Sequence, residues 1–77
     1  MLAWSALQPG DRFCIESLSQ LPASYRQQLM SLGLTPGVSV EFVRRAPLGD
    51  PIQIRVRGAS LCVRLAEIAG ASIYRES

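Results

Sequence analysis

The chain has 77 residues, of which 48% are apolar and 18% charged, and its eight Arg against six Asp or Glu give a net charge of +2. A chain this short buries only about 60% of the surface its unfolded form exposes, and such a core rarely supplies more than roughly 3–5 kcal/mol. These bounds exclude a disordered chain, which combines low hydrophobicity with high net charge, and argue against a self-contained enzyme with a deep cleft of its own.

In chain order, Leu7-Gln8-Pro9-Gly10-Asp11 reads as a type II turn, Pro setting φ and Gly supplying φ > 0. A strand is expected over Arg12 to Leu18, where Phe13 and Ile15 alternate with Cys14 and Glu16. Leu21, Tyr25, Leu29 and Leu32 then recur at helical spacing and predict a helix from about Pro22 to Leu32, with Arg26, Gln27 and Gln28 outside that face. Pro22 suits a first turn; Gly33 can take the left-handed cap with Leu34 packing back on Leu29, and Pro36 prevents continuation.

Thr35-Pro36-Gly37 repeats the Pro-Gly turn and launches a strand from Val38 to Arg45, with Val38, Val40 and Phe42 on one face. After Ala46-Pro47-Leu48-Gly49-Asp50-Pro51, Ile52, Ile54 and Val56 point one way while Gln53, Arg55 and Arg57 point the other. Gly58-Ala59 is read as the hairpin turn, followed by a strand from Ser60 to Leu65, a helical turn from Leu65 to Ala69, and a last strand from Ala71 to Arg75. Five closely spaced strands with one helix inserted after the first predict a mainly β fold, a small SH3-like, partly closed barrel that limits exposed edges. The whole of 1–77 reads as a single domain.

The absence of His removes the commonest general base and the commonest transition-metal ligand together. Asp11, Glu16, Glu41, Asp50, Glu67 and Glu76 are scattered, with no pair at i, i+4 spacing, and read as solvated charges. Cys14 and Cys62 fall on different predicted strands without CxxC spacing and read as reduced, structural residues. No phosphate-cradling glycine loop is present. No catalytic residue, metal site or cofactor is expected.

Two features exceed what a core requires. Arg44, Arg45, Arg55 and Arg57 lie on consecutive predicted strands, and guanidinium forks are suited to oriented carboxylates or phosphates. They read either as ordinary outward-facing residues or as one basic strip. The loop between them holds Leu48, Gly49 and Asp50 between Pro47 and Pro51. It is either a wide hairpin connection or a restrained apolar tip that loses little entropy on docking.

Three segments, Tyr25-Arg26-Gln27-Gln28-Leu29-Met30-Ser31-Leu32-Gly33-Leu34-Thr35-Pro36-Gly37, Val43-Arg44-Arg45-Ala46-Pro47-Leu48-Gly49-Asp50-Pro51-Ile52, and Val56-Arg57-Gly58 with Leu61-Cys62-Val63-Arg64, resemble in order those of the FeoA family. That resemblance implies an SH3-like barrel with its helix between the first two strands. It also implies a non-enzymatic accessory role in ferrous-iron uptake, through binding to the cytosolic part of the FeoB transporter, its GTP-binding domain or a membrane-proximal segment. On this reading the partner contacts include Tyr25, Arg26, Arg44, Arg45, Leu48, Gly49, Asp50, Pro51, Arg55 and Arg57. Docking on a cytosolic segment is one mode; an Arg from the Arg44–Arg45 pair reaching the bound nucleotide is another.

The domain also resembles the C-terminal module of metal-dependent repressors, but no helix-turn-helix precedes it here. A stand-alone nucleic-acid binder or a general peptide-binding module are the other readings. Nucleic acid is not expected, since single-strand binders pair charge with stacking aromatics, and only Trp4, Tyr25 and Tyr74 are spare. Met1-Leu2-Ala3-Trp4-Ser5 lacks a basic n-region and an apolar stretch, so no signal peptide is read there. The expected location is cytoplasmic, at the inner face of the membrane only through the partner, with self-association through a barrel edge or the Leu2-Ala3-Trp4 segment as a further possibility.

Overall fold

A computed structural model describes residues 2–76. A 3-10 turn at Trp4–Ala6 leads into β1 (Arg12–Ser17), α1 (Ala23–Ser31), β2 (Ser39–Arg45), β3 (Ile52–Val56), β4 (Ala59–Val63), α2 (Leu65–Ile68) and β5 (Ser72–Arg75). The strands form one antiparallel sheet in the order β4-β3-β2-β1-β5. It is a mainly β, SH3-like, partly closed barrel with its helix after the first strand, as the periodicity predicts.

Alternation decides which face turns inward. Phe13 and Ile15 from β1, Val40 and Phe42 from β2, Ile52, Ile54 and Val56 from β3, Val63 from β4 and Ile73 from β5 are buried on one side. Leu7, Leu18, Leu21, Leu29, Leu34, Ile68 and Ala71 join the same core. Burying a side chain the size of Phe13 or Phe42 contributes about 3 kcal/mol, so these rings anchor the two central strands. The two Pro-Gly turns close as expected, Asp11 N–H donating to Gln8 O at 2.9 Å and Val38 N–H to Thr35 O at 3.0 Å.

Pro22 caps α1 rather than lying within it. At the other end Gly33 N–H donates to Met30 O and Leu34 N–H to Leu29 O, the paired bonds of a Schellman cap. This requires the φ of +100° that Gly33 adopts. The cap reverses the chain and places Leu34 in the core, so Leu32, expected on the buried face, is instead 46% exposed.

Other details differ from expectation. The β3–β4 hairpin turns on Arg57-Gly58, not Gly58-Ala59, since Ala59 already pairs with Val56. Both turn residues have positive φ, +50° and +80°, which matches the twist of the flanking strands. Leu65 leaves β4 to begin α2. Trp4 is core: its indole meets Phe13 edge-on at 5.4 Å between centroids, and its Nε1–H donates to Ala71 O at 3.1 Å.

Candidate functional site

The two features singled out in the sequence converge where β2 turns into β3. The Ala46–Pro51 loop is held at its neck by Ala46 N–H donating to Pro51 O at 3.0 Å and at its tip by Gly49 N–H donating to Ala46 O at 2.8 Å. Leu48 stands at that tip 97% exposed, the most solvent-accessible large apolar residue described. Asp50 faces the other way. Its Oδ1 accepts from Leu65 N–H at 2.8 Å, and its Oδ2 lies 3.8 Å from Arg64 Nη1.

The four arginines do not form one strip. A bulge between Phe42 and Arg44 inserts Val43 into β2, and this one-residue shift puts Arg44 rather than Arg45 on the outer face. Arg44 lies outside, opposite Gln53, and its Nε–H donates to Gln53 Oε1 at 2.9 Å. Arg45 falls opposite buried Ile52 and turns over the end of the core. Its Nη2 donates to Trp4 O at 2.9 Å and Leu7 O at 3.0 Å, while its guanidinium carbon sits 4.9 Å from the Phe42 ring centroid. Such a group holds structure together.

Arg55 pairs with Glu41 at 3.3 Å across the strands. Glu41 also lies 4.0 Å from Arg12, which reaches Glu76 at 3.3 Å, so opposite charges alternate across the outer face. Glu76 accepts from the Ser39 hydroxyl, and that bond, with Arg12 beside it, holds its carboxyl below the usual range. Arg57 sits in the hairpin turn, its Cδ packed over Gly33 at the end of α1.

Arg44 and Arg57 are therefore the members of the set that face solvent with no carboxylate within 4.0 Å among the described residues and no backbone carbonyl to hold them, and of the two Arg44 lies beside the Ala46–Pro51 loop. Together with Arg45, Ala46, Pro47, Pro51, Gln53 and Cys62 it lines a shallow concavity of about 220 Å³. Cys62, read from sequence as a reduced structural residue, is exposed there; Cys14 is half-buried, and both thiols are free.

Tyr25 and Arg26 belong elsewhere. Tyr25 is half-buried against the core and, with Pro22, Ser24, Ala66 and Glu67, lines a second concavity of about 390 Å³ between α1 and α2. Burial, then the nearby Glu67 carboxylate, pushes its phenol upward. Arg26 reaches Ser19 O at 3.5 Å. Sequence reasoning missed the inward turn of Arg45 and the Trp4 anchor, because each depends on a bulge or a short 3-10 turn that leaves no periodic signal. Among the described residues no three His, Cys, Asp or Glu come together as a metal site, and no helix is long and apolar enough to cross a membrane.

A family model described as a FeoA domain matches residues 5–70. The structure of a FeoA protein from Chlorobium tepidum is 34% identical, with TM-score 0.88 over 99% of this chain and 71% of that one. Iron(II) transport protein A from Clostridium thermocellum is 28% identical with TM-score 0.85, over 96% of this chain and 45% of its own. An iron uptake regulatory protein (FeoA) is 27% identical with TM-score 0.75, over 96% and 93%.

Proposed function

Because the chain belongs to the FeoA family, which is associated with ferrous-iron transport, we propose that it is a non-enzymatic accessory protein of ferrous-iron uptake that docks on the cytosolic part of the FeoB transporter. It works in the cytoplasm, at the membrane only through that partner, and regulates uptake without carrying the iron. The observation that carries this reading is Leu48, 97% exposed on a tip whose backbone is fixed by internal hydrogen bonds.

An apolar side chain on a restrained tip loses little freedom when it docks. Beside it, Arg44 offers a guanidinium without a carboxylate partner, and the shallow concavity floored by Gln53 and Cys62 gives a docked segment a place to lie. Arg45 supports this surface from behind, through Trp4 O and Leu7 O, and is a positioning residue. Tyr25 and Arg26, on the α1 side, form a second, separate part of the proposed contact surface.

The test is co-purification of FeoB from detergent-solubilised membranes with tagged wild-type protein and with Leu48→Asp or Arg44→Ala. Both variants leave the core untouched. FeoB recovered with wild type and reduced at least tenfold with either variant supports the reading; equal recovery with all three removes this surface, and absence of FeoB removes the partner. Arg44→Ala also separates docking from an arginine-finger role, which requires loss of any stimulated GTP hydrolysis even when recovery is unchanged.

A further inference from the structure

The two edges of the sheet differ. At β5, Leu2 N–H donates to Ile73 O at 3.2 Å, so the opening segment covers part of that edge. β4 stands last on the other side, and among the described residues no backbone hydrogen bond outside its ladder with β3 involves any of its residues. Ala59, Ser60 and Cys62 are exposed. The five β3–β4 pairs run without a bulge, and Ala-Ser-Leu-Cys-Val carries neither charge nor Pro. Solvent-exposed edges are usually blunted by one of these devices, because an open edge is a template for another strand.

The hairpin fixes which groups are free. A two-residue turn makes Val56 and Ala59 a hydrogen-bonded pair, and the ladder alternates from there. Ile54–Leu61 and Ile52–Val63 therefore exchange bonds, while Ser60 and Cys62 direct their N–H and C=O groups away from β3. We propose that this edge is the docking surface for an extended acidic segment of a partner protein, which adds to the sheet as a sixth strand beyond β4. The proposal rests on the reading of the chain as a docking protein but not on which protein supplies the segment.

Charge selects the occupant. Arg57 precedes β4 and Arg64 follows it, with Arg44 two strands in on the outer row that runs Arg44, Gln53, Cys62. Neither Arg44 nor Arg57 has a carboxylate within 4.0 Å among the described residues, and exposed Arg64 only approaches Asp50 at 3.8 Å. A second copy is disfavoured, because antiparallel self-pairing centred on Leu61 brings Arg64 of one chain against the Arg57-Gly58 turn of the other. Alternating Glu side chains on an added strand meet Arg57 and Arg64 instead, while its backbone meets Ser60 and Cys62.

The test titrates the 15N-labelled full chain with an end-blocked octapeptide alternating Glu with Val or Thr, against the same peptide with Lys for Glu. The expected result is amide shifts confined to 59–63 and their β3 partners, slowed exchange of the Ser60 and Cys62 N–H, and at least tenfold weaker binding of the Lys peptide. Cys62→Pro removes one outward N–H without touching the β3 ladder and is expected to weaken binding at least tenfold. Arg64→Glu, which alters no ladder group, should do likewise.

Equal binding of the two peptides, shifts centred on Tyr25 or Leu48, no binding at millimolar peptide, or a dimer built through β4 overturns the proposal. FeoB retained equally by wild type and Cys62→Pro, with no peptide bound, removes the edge but keeps the partner; peptide binding without FeoB recovery supports the edge and removes that partner.

Discussion

Leu65 N–H donates to Asp50 Oδ1 at 2.8 Å, so the loop between β2 and β3 caps a helix fifteen residues further along the chain. α2 has Arg64 at its own N-cap position, with no side-chain cap bond. The Leu48 tip and α2 are thereby tied to one carboxylate. Asp50→Ala should cost about 1 kcal/mol and speed amide exchange over 65–68, and Asp50→Asn, which keeps an acceptor oxygen, should cost less. Urea midpoints with exchange rates check both.

Arg45 and Arg44 are neighbours in sequence with opposite consequences. Arg45→Ala removes two charge-assisted bonds to carbonyls and the contact over Phe42, a loss of about 2–3 kcal/mol. Arg45→Lys should recover less than half of it, since an ammonium lacks the planar fork. Arg44→Ala should change stability by no more than about 0.5 kcal/mol. Trp4 fluorescence during denaturation reports on the first, because Trp4 supplies one of the two carbonyls.

Gly33→Ala should destabilise the fold by about 1 kcal/mol. A Cβ at φ +100° is strained, and it would also touch Arg57 Cδ at 3.4 Å, a contact the flexible Arg57 side chain can accommodate. Adding Arg57→Ala removes that contact while leaving the backbone strain. The double variant should therefore remain less stable than Arg57→Ala alone, as thermal unfolding will show.

Asp11 gives the fold a dependence on acid. Its carboxylate accepts from Gln8 N–H at 2.9 Å and lies 3.2 Å from Arg75; the backbone bond first and Arg75 second hold its pKa down. A depressed folded-state pKa stabilises fully above the unfolded value of about 4 and loses that contribution as pH falls through the folded value. The Tm gap between wild type and Asp11→Asn should thus be present at neutral pH and close in strong acid. Added salt should narrow it only in part, because the Gln8 bond is local.

Much of this molecule is legible in its sequence where a single period governs a segment. Alternation at Phe13 and Ile15, and at Ile52, Ile54 and Val56, identifies core positions, and the Leu-Gly-Leu stop identifies the end of α1. Legibility fails where one residue breaks the period. Val43, a bulge, turns Arg45 inward and leaves Arg44 outside; Arg57 is drawn into a turn by the twist of its hairpin; Leu32 yields its place to Leu34. The candidate surface suffers most, because a one-residue shift exchanges inward and outward positions from that point on. The Trp4–Ala71 bond joins residues too far apart for any local pattern to register.

That bond, and the pairing of β1 with β5, also set the order of assembly. β2, β3 and β4 join through short connections and can meet early, whereas Cys14 must wait for Tyr74 before their register exists. Such distant closures slow folding, because chain entropy is lost before the contacts that offset it are made. During synthesis β1 emerges well before β5, its outer partner, so the barrel cannot close until β5 has left the ribosome.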